Sequence, residues 1–292
     1  MLGLMCRMAG YVGTGSRLRA LIDGAPHGLE RQSWAPREMQ GAVVNADGWG
    51  CAWYLGDELE PCVYRSALPI WADANRFGLG RTISSPCLMA AVRSATDPLS
   101  HALANTQPFV HGPLCFLHNG YVKPFRESIQ RRLRRSLADE AYACVRGETD
   151  SEHYFALIVD EWLRAEPGDR RVAVALERAT RRLLAFTEEA GGVALVAAAL
   201  VERAAPEQLA VHQAEGAARG APTAGGSAGD KACGGSRMSL VLQRVAVGGV
   251  PPSLYVRASR DGWTFASEPL DLEAGWTPLE PGAPRVVHAE AG

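Results

Sequence analysis

No apolar run in this chain approaches the roughly 20 residues needed to span a bilayer. The longest, Val193 to Val201, is too short and too rich in alanine, so no membrane partner is expected. There is no CxxC pair, no HExxH motif and no internal repeat. The seven cysteines (Cys6, Cys51, Cys62, Cys87, Cys115, Cys144 and Cys233) are odd in number and irregular in spacing. A disulfide framework or zinc site is therefore not expected, and a reducing, cytoplasmic setting fits best. An excess of either charge is also missing: 30 Lys and Arg face 32 Asp and Glu, a formal charge of −2. Bulk charge thus gives no argument for nucleic acid or an anionic membrane surface. The one basic cluster, Arg131, Arg132, Arg134 and Arg135, flanks Leu133 without interleaved aromatics, which reads as a solvated helix face. Met1 to Met5 lack the basic n-region and apolar core of a signal peptide, and Met5 is too large to precede a lipoprotein cysteine.

What remains is ample material for a folded protein: 292 residues, 47% of them hydrophobic, enough to bury a large core. A strand is expected from Cys6 to Val12, ending in a turn at Gly13-Thr14-Gly15. Ser16 would then cap a short helix carrying Leu18, Leu21 and Ile22. Strand-like runs follow at Trp49 to Leu55, Cys62 to Arg65, Cys87 to Arg93 and Leu114 to Leu117. Alternation puts Cys87, Met89, Ala91 and Arg93 on one face. Phe125, Ile129, Leu133 and Leu137 mark one amphipathic helix. Thr149 and Glu152, at capping-box spacing, open a second, and a third spans about Arg171 to Phe186. Periodicity does not decide whether Val193 to Val201 is helix or strand. From Arg203 to Ser236 the composition turns to Ala, Gly, Pro and Ser. The centre of that block (Glu215 to Gly235, within an insertion near 205–236) reads as flexible. Strands resume at Ser239 to Val247, Leu254 to Ala258 and Trp263 to Ser267, and few polar residues in this last third look placed for chemistry. Strands, then helices, then strands indicate a layered α+β fold.

Cys6 directly follows Met5. If residues 1–5 are absent or removed, Cys6 carries both a thiol, of reference pKa about 8.5, and an α-amine near 7.7–8.0 able to take the thiol proton. Taken alone, it reads as an ordinary cysteine near a chain start. Asp150 alone is a helix-start carboxylate, Asn119-Gly120 a hairpin turn, and Arg93 a strand-end cation. The ordered set is more specific. Met5-Cys6-Arg7, Asn45-Ala46-Asp47-Gly48-Trp49-Gly50, Arg93-Ser94-Ala95-Thr96, Asn105-Thr106-Gln107-Pro108-Phe109 and His118-Asn119-Gly120-Tyr121 follow one another along the chain. In this the sequence resembles the class II glutamine amidotransferase domain family, a branch of the N-terminal-nucleophile hydrolases. Arg31-Gln32-Ser33-Trp34-Ala35-Pro36, Pro69-Ile70-Trp71-Ala72-Asp73 and Phe265-Ala266-Ser267-Glu268-Pro269-Leu270-Asp271 narrow the likeness to the γ-glutamyl hydrolases of ergothioneine biosynthesis.

The resemblance implies a four-layer αββα fold, two stacked, mainly antiparallel sheets between helical layers, occupying residues 6–292 as one domain. It implies Cys6 as nucleophile, and Asn119 (side-chain amide) with Gly120 (main-chain N–H) as oxyanion hole. Arg93 would hold the glutamyl α-carboxylate with Thr96 nearby, and Asp150 its α-ammonium. No metal or organic cofactor is called for. The implied partner is a small-molecule γ-glutamyl substrate, γ-glutamyl-hercynylcysteine sulfoxide, and no nucleic acid. A glutaminase subunit feeding ammonia to a separate synthase and a non-catalytic protein binding glutamate-like ligands remain alternatives. Gln107 stands where many members have histidine before Pro-Phe, so no role of that histidine carries over. Asp97 follows Thr96 where a small residue is common, and the Trp-rich loop from Arg31 to Glu38 is either a contact for the leaving group or packing under a surface loop.

Overall fold

The structure, a computed structural model, describes residues 5–38, 44–95, 102–204 and 237–290. The expectations for residues 1–4, Thr96, Asp97 and the 205–236 block lie outside the described residues. The first sheet holds β1 (Arg7–Arg17), β2 (Trp49–Trp53), β3 (Cys62–Ser66), β4 (Ser84–Val92), β9 (Tyr255–Ser259), β10 (Gly262–Ala266) and β11 (Thr277–Pro278). Side by side they run β11-β9-β10-β1-β4-β2-β3. The second holds β5 (Phe109–His111), β6 (Leu114–Lys123), β7 (Val193–Ala204), β8 (Arg237–Val247) and β12 (Arg285–Glu290), in the order β12-β8-β7-β6-β5. Every strand pairing among the described residues is antiparallel.

Helices α1 (Arg19–Ile22), α2 (Leu29–Trp34) and α3 (Asn75–Thr82) cover the first sheet. On the second lie α4 (Gln130–Arg135), α5 (Asp139–Ala143), α6 (Asp150–Arg164) and α7 (Arg171–Glu189). Alternation along the strands sorts the apolar residues into three layers. Met8 and Val12 of β1, Cys87, Met89 and Ala91 of β4, and Cys115 and Leu117 of β6 meet between the sheets. Their alternates Ala9, Tyr11, Leu88, Ala90 and Val92 turn to α1 and α2, while Leu114 and Phe116 turn to α6. The result is the four-layer αββα stack, with two apolar faces per sheet as such layering requires.

Several local expectations need correction. The first strand does not end at Gly13: β1 continues to Arg17, with a register shift between Val12 and Ser16. Glycine makes that irregularity possible, because Gly15 has φ +146° and a Cβ on Gly13 would sit 2.0 Å from the Asp261 carbonyl oxygen. Ser16 consequently caps nothing, and α1 starts after Leu18 without a side-chain cap. Asn119-Gly120 is no hairpin turn but lies inside β6, paired with Ala197 and Val196. Val193 to Val201 is strand, buried on both faces, which is why its run shows no polar alternation. Phe125 to Ile129 forms a π-type turn ahead of the shorter α4.

Candidate active site

Two strand ends, the interior of β6 and the start of α6 bring the singled-out residues together. Cys6 precedes β1 with the parity of Met8, so it turns toward the layer between the sheets. Pairing of Arg7 with Val92 and Met8 with Ala91, continued by one step, sets Cys6 opposite Arg93. Arg93 follows β4 with the parity of Met89 and Ala91. Asn119 has the parity of Cys115 and Leu117, and so faces the same layer from the opposite sheet. Cys6, Arg93, Gly120 and Asp150 all line one cleft of about 430 Å³, within the range of small-molecule sites.

Cys6 Sγ lies 4.0 Å from the carbonyl oxygen of Ser94. Burial raises the thiol pKa, and the charge of Asp150 adds to that, while the Arg93 and Arg7 guanidinium groups oppose it. Asn119 is fully buried, yet neither its Nδ2 nor its Oδ1 has a hydrogen-bond partner. Such an amide is expensive to bury, about 1–3 kcal/mol, and a catalytic role is one of the few reasons for a folded chain to carry it. The next residue must be glycine. Gly120 has φ +151°, and a Cβ there would stand 1.8 Å from the Leu195 carbonyl oxygen across the ladder.

The main chain ahead of Asn119 is clamped by Gln107. Its Nε2 donates to the His118 carbonyl (2.8 Å), and its Oε1 accepts from the His118 N–H (2.6 Å). Both ends of the amide are used to fix β6, which accounts for a residue that sequence reasoning left without a role. His118 turns away from the cleft, its Nδ1 2.8 Å from Ser151 Oγ, and burial lowers its pKa against the opposing charge of Asp150.

Asp150 is the first residue of α6, where the helix dipole favours a carboxylate. Oδ2 accepts from Val122 N–H (2.7 Å) and Oδ1 from Ser151 N–H (2.7 Å). These bonds tie the helix start to β6 and fix the carboxylate at the cleft wall. Thr149 caps the helix by accepting from Glu152 N–H (3.2 Å), as its position predicts. The reciprocal half of the capping box is absent: Glu152 instead accepts from the Arg146 and Gly147 N–H groups.

Arg93 is held from the Asn45–Gly50 segment. Its N–H donates to the Gly48 carbonyl (2.8 Å), its carbonyl accepts from Asp47 N–H (3.0 Å), and Nη1 donates to the Asp47 carbonyl (3.3 Å). The Asp47 carboxylate accepts from Ala95 N–H (2.7 Å), so that motif shapes the turn after β4. Trp34 is not among the residues lining the cleft; it lies half-exposed under Arg31.

The largest omission in the sequence reading is Glu268. It has no exposed surface and lies beside Arg7 and His27, at 3.1 and 2.7 Å. It also accepts from the N–H groups of Arg37 and Glu38. Burial alone would raise its pKa, but these partners together lower it. A signal was present: Ser267-Glu268-Pro269 breaks an otherwise apolar strand end with a carboxylate. Nothing in the sequence, however, says that residues 268 and 7 meet. Among the described residues no group of three or more His, Cys, Asp or Glu is arranged to hold a metal ion, and no helix is long and apolar enough to cross a membrane. In chemical terms the cleft offers a thiol, a guanidinium and a fixed carboxylate around one space, while the unpaired amide of Asn119 is buried next to Gly120 in its wall and is not itself among the lining residues.

Residues 27–203 match the family described as class-II glutamine amidotransferases. A Mycobacterium tuberculosis protein named gamma-glutamyl-hercynylcysteine sulfoxide hydrolase is 38% identical over 118 residues, covering 40% of this chain and 50% of that protein. A Mycolicibacterium smegmatis protein of the same name is 38% identical, covering 40% and 52%. A Saccharomyces cerevisiae protein named as a probable glutamine amidotransferase is 35% identical, covering 53% and 45%. The chain thus spans about half the length of the curated relatives it matches. Among solved structures, a glutamine aminotransferase class-II domain protein from Silicibacter pomeroyi aligns over 97% of this chain and 98% of its own, with TM-score 0.59 and 26% identity. Glutamine phosphoribosylpyrophosphate amidotransferase from B. subtilis shares the fold, with TM-score 0.52 and 14% identity over 97% and 49%.

Proposed function

The chain belongs to the class II glutamine amidotransferase family, and from that premise we propose that it hydrolyses γ-glutamyl amides, with Cys6 as nucleophile. The observation that carries this reading is the buried, unpartnered amide of Asn119 beside a cleft that Cys6 lines. An acyl-transfer site needs a donor for the oxygen that becomes negative, and that donor stays unpaired until substrate arrives.

The mechanism runs as follows. Cleavage of the Met5–Cys6 bond frees an α-amine on Cys6. That amine takes the thiol proton, through a water, and the thiolate attacks the γ-carbonyl carbon. Asn119 Nδ2 and the Gly120 N–H donate to the oxyanion. The amine product leaves with a proton, and water hydrolyses the γ-glutamyl thioester to glutamate, restoring the thiol. Arg93 holds the α-carboxylate of the glutamyl group, a task suited to a planar two-pronged donor. Asp150, its carboxylate fixed by two N–H bonds at the helix start, holds the α-ammonium. Thr96 assists Arg93.

For the leaving group we propose hercynylcysteine sulfoxide, released from its γ-glutamyl conjugate. Support comes from the names of the mycobacterial relatives and from the Ser267-Glu268-Pro269-Leu270-Asp271 segment. The test pairs mass spectrometry of the native N-terminus with product analysis on γ-glutamyl amides, glutamine among them. A chain beginning at Cys6 that releases glutamate from the sulfoxide conjugate fits the proposal. An active chain retaining Met5 sinks the mechanism. Activity confined to glutamine would replace the hydrolase by an ammonia-supplying subunit.

A further inference from the structure

Arg7 is a side chain for which the mechanism above has no use. It follows Cys6, and alternation turns it to the opposite face of the first sheet, where 1% of it is exposed. From there Nη1 reaches back and donates to the carbonyl oxygen of Cys6 (3.2 Å), while Nε lies 3.1 Å from Glu268 Oε1. Glu268 is itself fixed by His27 Nε2, Arg37 N–H and Glu38 N–H. The neighbouring Ser267 donates its N–H to the Met8 carbonyl (2.8 Å), and its Oγ accepts from Met8 N–H (3.1 Å). Residues 267 and 268 therefore grip Met8 and Arg7, and Arg7 in turn holds the carbonyl of Cys6.

We infer that Arg7, anchored by Glu268, is a positioning residue for the nucleophile, fixing the main chain of Cys6 and placing a buried positive charge behind its sulfur. The inference rests on the reading of Cys6 as nucleophile. Freeing the α-amine makes Cys6 a chain terminus, and chain ends fray unless tied down. With nothing upstream, the main-chain attachments left are its own carbonyl and the residue that follows. Arg7 holds the first, and Ser267 pins the next residue on. A buried ion pair contributes little net stability compared with an apolar pair of the same shape, so its value here lies in placement and charge. The charged groups facing Cys6 are Arg93, Asp150 and Arg7; those facing Arg7 are Glu268, Cys6 and Glu38. Within that set, the Arg7 charge favours thiolate and Glu268 partly cancels it.

The experiment uses the full chain with its matured N-terminus and follows the rate of Cys6 alkylation by iodoacetamide against pH, read by peptide mass mapping. Arg7→Met raises the pH midpoint of alkylation, whereas Glu268→Gln, which leaves the guanidinium uncancelled, lowers it. Arg7→Lys restores the midpoint but not the geometry. In Arg7→Met and Arg7→Lys, kcat for γ-glutamyl cleavage falls about 10- to 100-fold, the scale of a misplaced reacting group, with KM little changed because Arg93 and Asp150 are untouched. Midpoints that shift in one direction for both Arg7→Met and Glu268→Gln, or not at all, overturn the inference. So does undiminished kcat in the Arg7 variants. Should Arg7→Met fail to fold, Arg7→Lys and Glu268→Gln carry the same test through kcat and the lowered midpoint. Activity surviving in Cys6→Ala is a separate result, and it removes the nucleophile assignment instead.

Discussion

Replacing Asn119 by alanine separates catalysis from folding unusually cleanly. In most cores, truncating a fully buried polar side chain breaks hydrogen bonds. Here neither amide atom has a partner to lose. Removing the unpaired amide relieves about 1–3 kcal/mol of desolvation cost. The space it vacates, ~40 Å³, costs about 1 kcal/mol at ~24 cal/mol per Å³. The two terms leave Asn119→Ala as stable as the parent, or more stable by up to about 2 kcal/mol. Catalysis has no such compensation. If the amide donates to the oxyanion, its loss costs about 2.7–4 kcal/mol of barrier, roughly 10²–10³ in kcat. KM moves little, because the contact strengthens only as charge develops on the oxygen. Urea denaturation and steady-state hydrolysis of a chromogenic γ-glutamyl anilide measure the two halves. A variant that unfolds at clearly lower urea while keeping its kcat would refute the reasoning, since the amide would then hold the structure rather than the transition state.

Three further outcomes are expected. Gly120→Ala puts a methyl 1.8 Å from the Leu195 carbonyl oxygen at φ +151°, so strand β6 must shift against β7; a loss of about 2–5 kcal/mol in urea unfolding is expected from overpacking and backbone strain, and an unchanged midpoint would contradict the close approach. Burial and the neighbouring Arg134 lower the His153 pKa to about 4. As pH falls from about 6.5 to about 4 the unfolded chain therefore takes up a proton that the folded chain refuses, and stability drops by at most about 3 kcal/mol. Comparing the parent with His153→Gln at pH 7 and 4.5 isolates that loss, and equal losses in both proteins would rule the histidine out. Gln107→Ala removes both bonds to the His118 main chain; stability falls by about 2 kcal/mol and kcat falls with it, because the same strand carries Asn119. Undiminished kcat would show that β6 keeps its place without the clamp.

How much of this was legible beforehand depended on the range of the physics. Alternation is a local rule, and it put Cys87, Met89 and Ala91 on one face, where the structure has them; Arg93, one residue past the strand, lines the cleft. The capping position of Thr149 is likewise local, and the hydroxyl accepts from Glu152 N–H as that position predicts. Glu152 departs from the capping box because two nearby N–H groups outcompete the cap for its carboxylate. Val193 to Val201 gave no period because both its faces are covered. Asn119-Gly120 has the composition of a turn, and only pairing with β7 makes it strand. The Arg7–Glu268 contact joins residues at opposite ends of the chain, and no pattern within a window of ten or twenty residues carries it.

The thiol and the arginine hang from one sheet, the amide and the glycine from the other. Between the two lies a filling of Met8, Met89, Leu117 and Ala199. The thickness of that filling is therefore a gauge for the reacting distance. A strand advances about 3.3 Å per residue, so a slip far smaller than one residue is enough to draw donor and attacker apart. If Cys6 attacks and Asn119 donates as proposed, side chains that never meet substrate set the working gap.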